Sequence, residues 1–473
     1  MNQKGSYPIV ICLLGSVILL LLLLKSKLLQ DDISILHVDS QVYIHTAQQW
    51  MQGKVLYKEI VEHKGPLLYV INIIGLILAG GHLWGIWVIQ LIMLMTLLWL
   101  IAYYVSRHES WFVSAAAMIF FVVWIYRSST IGDNIPEMYA VPFVGYIVLL
   151  SFRMMVVPTL SIISILLGGL SFAALLLLKL NFVVLAVPFI IWMLNMSFQK
   201  KYFLKLILLL TAGFLFLFIP FLLYFLYHDS FWQAMDAIYT LNMEYAGRPL
   251  MPRMKALSTL FIRPINYFFL FAFISVFLKF IFTDKNKNAA WAILSSMLLG
   301  LIFLVYWPGR GSESVHYLMP LAPIYFFAVI WLLYGVKQVI ELLLLALSLW
   351  FLRPLAEEYL KEPNRKEYSI ASSYPDALQK YKRKGDRLWV VGNKASVYSM
   401  SALEPAHKYF YTYPILNYCE SDRTQQVISE LEEELPPLVF VEKKYDHAIC
   451  WQTFIANYRL VWEDDSYQIY RYP

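Results

Sequence analysis

Asp39 and Lys64 are the residues whose types and setting best fit chemistry at a membrane surface. Both lie in a polar stretch that follows the first long apolar run and closes with Glu62-His63-Lys64-Gly65-Pro66. Charged groups held beside a bilayer are costly, which favours a functional role for them. A positioned carboxylate can act as a general base, and a lysine can bind a phosphate oxygen as a compact point charge.

The residues after Asp39 predict a helix over residues 40–51 that lies on the membrane surface. Its apolar face is formed by residues at helical spacing, namely Tyr43, Ala47, Trp50 and Met51. Gly53 ends the helix, and Gly65-Pro66 breaks the chain and starts the next one. Two alternatives need no chemistry: Asp39 caps the helix, and Lys64 extends toward lipid headgroups.

Two further loops on the same side of the membrane carry candidate residues. Asp133 and Glu137 precede an apolar span and are candidate second acids, or alternatively acids that favour a helix N-terminus. Arg310, between glycines, is a candidate bidentate phosphate ligand. His316 begins a later span and is a candidate donor to the same group, or alternatively an interfacial histidine with structural partners. The candidate substrate-binding residues are Tyr43, Glu62, His63 and Tyr317.

The composition is that of a membrane protein. Of 473 residues, 60% are hydrophobic and 15% are charged. The net charge of +6 is spread over short loops, which is typical of membrane topology and not of nucleic-acid binding. Hydropathy predicts about eleven spans. They lie near residues 7–28, 84–105, 111–126, 136–152, 158–177, 181–198, 203–226, 260–282, 288–306, 316–334 and 338–352.

The short run 67–80 is better explained as a re-entrant or interfacial segment than as a span. With this choice, most loops rich in lysine and arginine share one face, which is cytoplasmic by the positive-inside rule. The candidate residues then lie on the outer face. We therefore expect a membrane domain over residues 1–352, with a first outer loop over 29–83 that contains interfacial helices.

Residues 353–473 have the composition of a soluble domain, and we expect a small α/β domain on the outer side. Strands are predicted over 388–391, 408–411, 438–441 and 467–470, and a helix over 422–435. Cys419 and Cys450 could form a disulfide in an oxidising compartment. Because spacing alone does not show contact, we expect two unpaired thiols.

Several common motifs are absent from the sequence, which has no P-loop, no HExxH and no paired CxxC. Val391-Gly392-Asn393 follows a strand but lacks the further glycines of a nucleotide site. No cofactor is required by the candidate residues, and a divalent metal is possible but not implied. The expected partners are the lipid bilayer and a lipid-linked substrate, not a nucleic acid.

The first outer loop resembles that of bacterial dolichyl-phosphate-mannose–protein mannosyltransferase-like proteins. These are GT-C fold glycosyltransferases related to the lipid A aminoarabinose transferases. The resemblance rests on three segments of the loop and one later element: Val38-Asp39-Ser40-x-x-Tyr43, Gly53-x-x-Leu56-Tyr57-Lys58-Glu59, His63-Lys64-Gly65-Pro66-Leu67-Leu68-Tyr69, and His316-Tyr317 with Pro320 and Pro323.

This resemblance implies an all-α polytopic GT-C membrane domain in the plasma membrane. It implies transfer of a sugar from a polyprenyl-phosphate donor to a glycan, protein or lipid acceptor, with Asp39 as the catalytic carboxylate and Lys64 near the donor phosphate. Two other hypotheses remain, a flippase for lipid-linked glycans and a non-catalytic membrane scaffold. A transporter is expected to carry ionisable residues near the bilayer midplane in two matching halves, whereas here they cluster in outer loops.

Overall fold

The computed structural model describes residues 15–17, 19–20, 23–24, 26–108, 133–157, 159–246, 254, 265–282, 287–306, 312–333, 374–413, 416, 419–445 and 449–473. Most of the expected first span and the expected spans 111–126 and 338–352 lie outside the described residues, as does Arg310.

Helices make up most of the membrane part. Those of the first half are α1 Val38–Met51, α2 Pro66–Leu78, α3 Trp84–His108, α4 Pro136–Val156, α5 Ile162–Leu178, α6 Val183–Gln199 and α7 Phe203–Tyr227. Next come α8 Phe231–Met235, a π-helical turn Asp236–Thr240, α9 Leu241–Ala246, α10 Ile265–Phe282, α11 Lys287–Gly300 and α12 Ala322–Leu333. The 3-10 segment Ser312–Leu321 leads into α12.

Five helical stretches in the described part of the chain are long and apolar enough to cross a membrane. They are Trp84–Ile101, Pro136–Val156, Leu180–Gln199, Phe203–Tyr227 and Lys287–Leu304. Each coincides with an expected span, while the total of about eleven remains a prediction. Helix α2 has 13 residues and is about 20 Å long, whereas the hydrocarbon core measures about 30 Å. Its length agrees with a segment that does not span.

Close packing of α5 against α7 depends on residues without side chains. A β-carbon on Gly169 would lie 2.0 Å from the carbonyl oxygen of Leu210, and one on Gly213 would lie 2.0 Å from that of Leu166. Helices in lipid associate through such small residues because apolar side chains gain little by leaving the hydrocarbon. This packing supports the C-terminal end of α5, which touches the candidate site.

The C-terminal domain contains the expected small sheet. Its elements are α13 Tyr374–Tyr381, β1 Arg387–Val391, α14 Ser396–Ser401, β2 Glu404–Pro405, α15 Asp422–Glu434, β3 Leu438–Glu442, α16 Ile449–Ile455, β4 Arg459–Glu463 and β5 Tyr467–Arg471. The strand order is β2-β1-β3-β5-β4. β1 pairs in parallel with β2 and β3, and β5 pairs antiparallel with β3 and β4.

Two strand predictions differ from this sheet. The strand expected over 408–411 is an irregular segment, because the parallel pairing with β1 is made by Glu404 and Pro405 instead. Strand β4 was not predicted. It is an edge strand with exposed or half-buried residues and so lacks a clear alternation of buried and exposed positions.

The expectation of two unpaired thiols is wrong. Cys419 and Cys450 form a disulfide with their α-carbons 5.6 Å apart. The bond joins the start of α16 to the chain just before α15. The tertiary fold makes this contact across 31 residues of sequence, so the spacing of the cysteines did not reveal it.

The C-terminal domain covers α1 on the side away from the other helices. The imidazole of His45 stacks on the ring of Tyr398, with 4.8 Å between the ring centroids. Gln41 accepts a hydrogen bond from the backbone NH of Ser396 at 3.2 Å. Both Gln41 and His45 are buried, although the sequence pattern directs them away from the apolar face. Helix α1 therefore lies between the membrane helices and the C-terminal domain.

Candidate functional site

The turn Glu62–Pro66 is held by a buried carboxylate. Glu62 Oε1 lies 2.7 Å from His63 Nδ1 and accepts a hydrogen bond from the hydroxyl of Tyr411 at 3.1 Å. Its Oε2 accepts one from the backbone NH of Lys64 at 2.7 Å and another from the hydroxyl of Tyr69. The Glu62 side chain is only 1% exposed. Glu62 and His63, both candidate substrate-binding residues, therefore shape the backbone that presents Lys64.

Gly65 allows this turn to lie directly against the end of α5. Its NH donates to the carbonyl of Leu178 at 3.0 Å, and a β-carbon on it would lie 2.0 Å from the carbonyl oxygen of Leu177. Pro66 then starts α2 as its first residue. Only a residue without a side chain fits here, so the Gly-Pro pair determines where Lys64 lies.

Asp39 is the second residue of α1 and does not cap it. The cap is His37, whose Nδ1 accepts the backbone NH of Asp39 at 3.3 Å. Asp39 is enclosed by the protein, yet 46% of its side-chain surface is accessible. Its carboxylate therefore lines a recess. The structural role that was the alternative for Asp39 belongs to His37.

The charge of Asp39 is balanced by neighbours from three stretches of the chain. Burial alone raises the pKa of the Asp39 carboxyl, but electrostatic attraction from His37, Lys64 and His316 outweighs burial and holds that pKa below its usual value. Asp39 is therefore ionised at neutral pH. Lys64 shows the opposite balance. Burial lowers the pKa of its ammonium group, and the attraction of Glu62 opposes that shift without cancelling it.

Glu137 and Lys179 form a second ion pair beside this recess. Lys179 Nζ lies 2.9 Å from Glu137 Oε1, and both side chains are nearly buried. The same ammonium lies 4.3 Å from the ring centroid of Tyr317, which packs against His316 with 4.5 Å between ring centroids. Charges of Asp39 and Glu137 both act on His316. His316-Tyr317 and Glu137, at the start of α4, therefore lie in the same cluster.

The loop before α4 is joined to α1 through Asn134. Its NH donates to Ser40 Oγ at 3.1 Å, and its side-chain oxygen accepts the hydroxyl of Tyr139 at 2.7 Å. The adjacent Asp133 is 4% exposed, and its carbonyl accepts from Gln90 at 3.2 Å. Asp133 therefore lies next to the residue that ties the two loops together.

Among the candidate substrate-binding residues, Tyr43 is close to Lys64. The Lys64 ammonium lies 5.7 Å from the centroid of the Tyr43 ring, which is 2% exposed. A ring at this distance offers a cation a weak attractive contact. It also restricts the position of the ammonium group.

Two members of the cluster were not proposed from the sequence. Lys179, between Leu178 and Leu180, was given no role, although a lysine inside a long apolar stretch is a usable signal for function. Tyr411 belongs to the C-terminal domain, and nothing in the sequence places its hydroxyl on Glu62. In the described parts of the chain, no group of three or more His, Cys, Asp or Glu side chains is arranged to hold a metal ion.

Comparison with solved structures identifies the fold. ArnT from Cupriavidus metallidurans bound to undecaprenyl phosphate superposes with a TM-score of 0.58 at 11% identity, over 97% of each chain. The oligosaccharyltransferase AglB from Archaeoglobus fulgidus, in complex with an inhibitory peptide and a dolichol-phosphate, gives a TM-score of 0.52 at 11% identity, over 93% of this chain and 70% of that one.

A further structure of the Archaeoglobus fulgidus oligosaccharyltransferase, with zinc and sulfate, gives a TM-score of 0.50 at 12% identity over 95% of this chain. No protein-family model and no curated protein matches the sequence. The neighbours are GT-C proteins, so the fold implied by the first-loop resemblance is confirmed. At these identities the likeness establishes the fold alone.

Proposed function

We propose that this protein is a membrane glycosyltransferase that moves a sugar from a polyprenyl-phosphate donor to an acceptor hydroxyl on the outer face of the membrane. The observation that carries the proposal is the difference in exposure and ion pairing among the acidic side chains of the site. Glu62 and Glu137 are 1% and 2% exposed and each is paired with buried cations, whereas Asp39 is ionised and accessible in the recess. A group that must touch a substrate needs that accessibility.

In the proposed reaction the acceptor oxygen attacks C1 of the donor sugar. The bond from C1 to the phosphate oxygen breaks, polyprenyl phosphate leaves with the electron pair, and Asp39 takes the acceptor proton. A single displacement inverts the anomeric centre, with the base on the acceptor side of the ring. A positioned base contributes about 10²–10⁴-fold to such a step.

The leaving phosphate needs positive charge near it to lower the barrier. The described site contains two ammonium groups, those of Lys64 and Lys179. It contains three carboxylates, those of Asp39, Glu62 and Glu137. This deficit of positive charge is the reason to retain Arg310 and His316 as phosphate ligands in the proposal. A guanidinium such as that of Arg310 is permanently charged and can bind a phosphate bidentately.

The orientation in the proposal has the loop 29–83 and the C-terminal domain on the outer side. The disulfide Cys419–Cys450 supports this side, because such bonds persist in oxidising compartments and are rare in the cytosol. The neighbours named above hold undecaprenyl phosphate and dolichol-phosphate, which supports a polyprenyl-phosphate donor here. The proposal leaves the choice of sugar and acceptor to the assay.

The test uses the full chain in liposomes with a panel of radiolabelled polyprenyl-phosphate sugars and a solubilised cell-envelope fraction as acceptor. We expect label to move to acceptor with the wild type. Asp39→Asn should lower the rate by about 10²–10⁴-fold and leave donor binding nearly unchanged.

The matched control is Asp229→Asn, because the Asp229 side chain is fully exposed. It should keep wild-type rates. Full activity of Asp39→Asn removes Asp39 from the mechanism. Donor that crosses the bilayer unchanged, with no label on acceptor, favours a flippase instead.

A further inference from the structure

The segment 231–246 carries an exposed apolar stripe that no part of the proposed reaction uses. Trp232, Met235, Tyr239 and Met243 are 78%, 42%, 52% and 45% exposed. Their spacing of three, four and four residues places them on one side of a helix. Flanking them are the exposed polar residues Gln233, Thr240 and Glu244. The stripe is therefore separate from the polar surface of the same segment.

The other sides of this segment are attached to the rest of the protein. Ala234, Ala237 and Leu241 are buried. Asn242 Nδ2 donates to the carbonyl of His63 at 2.6 Å. The carboxylate of Asp236 accepts from Arg423 of α15 at 2.8 Å. These contacts determine how the segment is rotated, so the stripe faces away from the protein.

The stripe continues the surface of α7 that faces away from the rest of the protein. Helix α7 is long and apolar enough to cross the membrane. Leu223, Leu226 and Tyr227 at its C-terminal end are 58%, 57% and 85% exposed, and only residues 228–230 separate α7 from Phe231. The stripe thus starts where α7 ends. Trp and Tyr favour this level of a bilayer, since their rings are apolar and their tips are polar.

We propose that the segment 231–246 lies in the outer membrane–water interface and binds the lipid surface through Trp232, Met235, Tyr239 and Met243. Interfacial helices combine an apolar face of this kind with a polar face turned to water. The occupant of the stripe is the outer leaflet, because the stripe follows the exposed apolar end of α7 after only three residues. The one charged residue between them, Asp229, is fully exposed and lies 3.8 Å from Lys58 Nζ.

This placement also affects the turn that presents Lys64. The significance of that effect rests on the proposed function. Asn242 holds the carbonyl of His63, the residue before Lys64. A segment seated on the leaflet therefore sets the depth of Lys64 relative to the headgroups. The phosphate of a polyprenyl-phosphate donor lies at headgroup depth, so the segment positions the lysine for a lipid-linked substrate.

Membrane depth is measured on the full chain with Cys12→Ser, which leaves only the disulfide cysteines. Met235→Cys and, as the matched control, Thr240→Cys are labelled with an environment-sensitive fluorophore. The protein is reconstituted in liposomes that contain lipids with nitroxides at shallow positions. We expect severalfold stronger quenching at position 235 than at 240. Weak quenching of equal size at positions 235 and 240 overturns the proposal. The proposal also fails if the nitroxide lipids do not quench the label but a second labelled copy of the chain does.

A second variant separates lipid contact from folding and from catalysis. Trp232→Ser should raise the KM for a long-chain donor severalfold with little change in kcat, and should leave a water-soluble short-chain donor analogue unaffected. Gln233→Ser is the matched control. An equal loss with both donors contradicts the positioning role. The depth measurement needs no turnover, so failure of the proposed reaction and failure of lipid contact are distinguished.

Discussion

The hydroxyl of Tyr411 lies 3.1 Å from Oε1 of Glu62, a carboxylate 349 residues earlier in the chain. Val61 donates its backbone NH to the carbonyl of Lys408 at 2.9 Å in the same contact. The C-terminal domain thus completes the hydrogen bonds of the turn that carries Lys64. We interpret this domain as part of the candidate site.

Removal of this hydroxyl should weaken the turn. Tyr411→Phe leaves a buried carboxylate oxygen with one donor fewer, which costs about 1.5–3 kcal/mol for a hydrogen bond to a charged group. We expect a lower thermal unfolding temperature in detergent and a severalfold higher KM for donor. Tyr413→Phe is the control, because the Tyr413 ring stacks on Tyr445 with 4.4 Å between centroids. Identical behaviour of the two variants would contradict the role of Tyr411.

The pH dependence of transfer should reflect Lys64 and Asp39. Burial lowers the pKa of Lys64, so its ammonium loses its proton, and kcat/KM falls, at a pH below the usual range for lysine. Lys64→Arg should move this alkaline fall upward, since a guanidinium stays charged. On the acid side, the lowered pKa of Asp39 should preserve activity to a pH below the usual range for aspartate. A profile of kcat/KM for both proteins checks this, and an unchanged alkaline limb in the variant would count against Lys64.

Variants of the Lys179–Glu137 ion pair should change stability and transfer activity independently. Lys179→Met leaves a buried carboxylate unpaired, which costs about 3–5 kcal/mol. Adding Glu137→Gln removes that charge and should restore much of the unfolding temperature. We expect transfer to stay low in the double variant, because the ammonium beside the recess is lost. Recovery of both properties would assign the pair a purely structural role.

The disulfide should stabilise the C-terminal domain. Cys450→Ser removes a constraint on the unfolded chain worth about 2–4 kcal/mol and should lower the unfolding temperature. Cys12→Ser is the control and should leave it unchanged. Mass spectrometry of protein alkylated without reductant should find Cys419 and Cys450 unmodified. Alkylation of both would show that the bond does not form in the membrane-inserted protein.

Local features of the site were predictable from the sequence, and its long-range contacts were not. Gly53 and Gly65-Pro66 act through their own backbone geometry, so the end of α1 and the start of α2 follow from residue type. The convergence of Asp39, Lys64 and His316 was proposed from loop positions. The contact between Tyr411 and Glu62 depends on how two distant segments pack, which no local pattern contains. Lys179 was left out of the predicted site because a lysine at the end of an apolar span could equally be a loop charge.

The contact of the first loop with the C-terminal domain forms late during synthesis of the protein, because its two sides are far apart in the sequence. The ribosome completes Glu62 long before Tyr411, and at 5–20 residues per second the interval is on the order of tens of seconds. During this time the nascent first loop emerges and the later helices insert while Glu62 lacks its final partner. A chain that ends before Tyr411 therefore carries Asp39 and Lys64 without a finished turn, so we expect the proposed activity only from chains that extend past this residue.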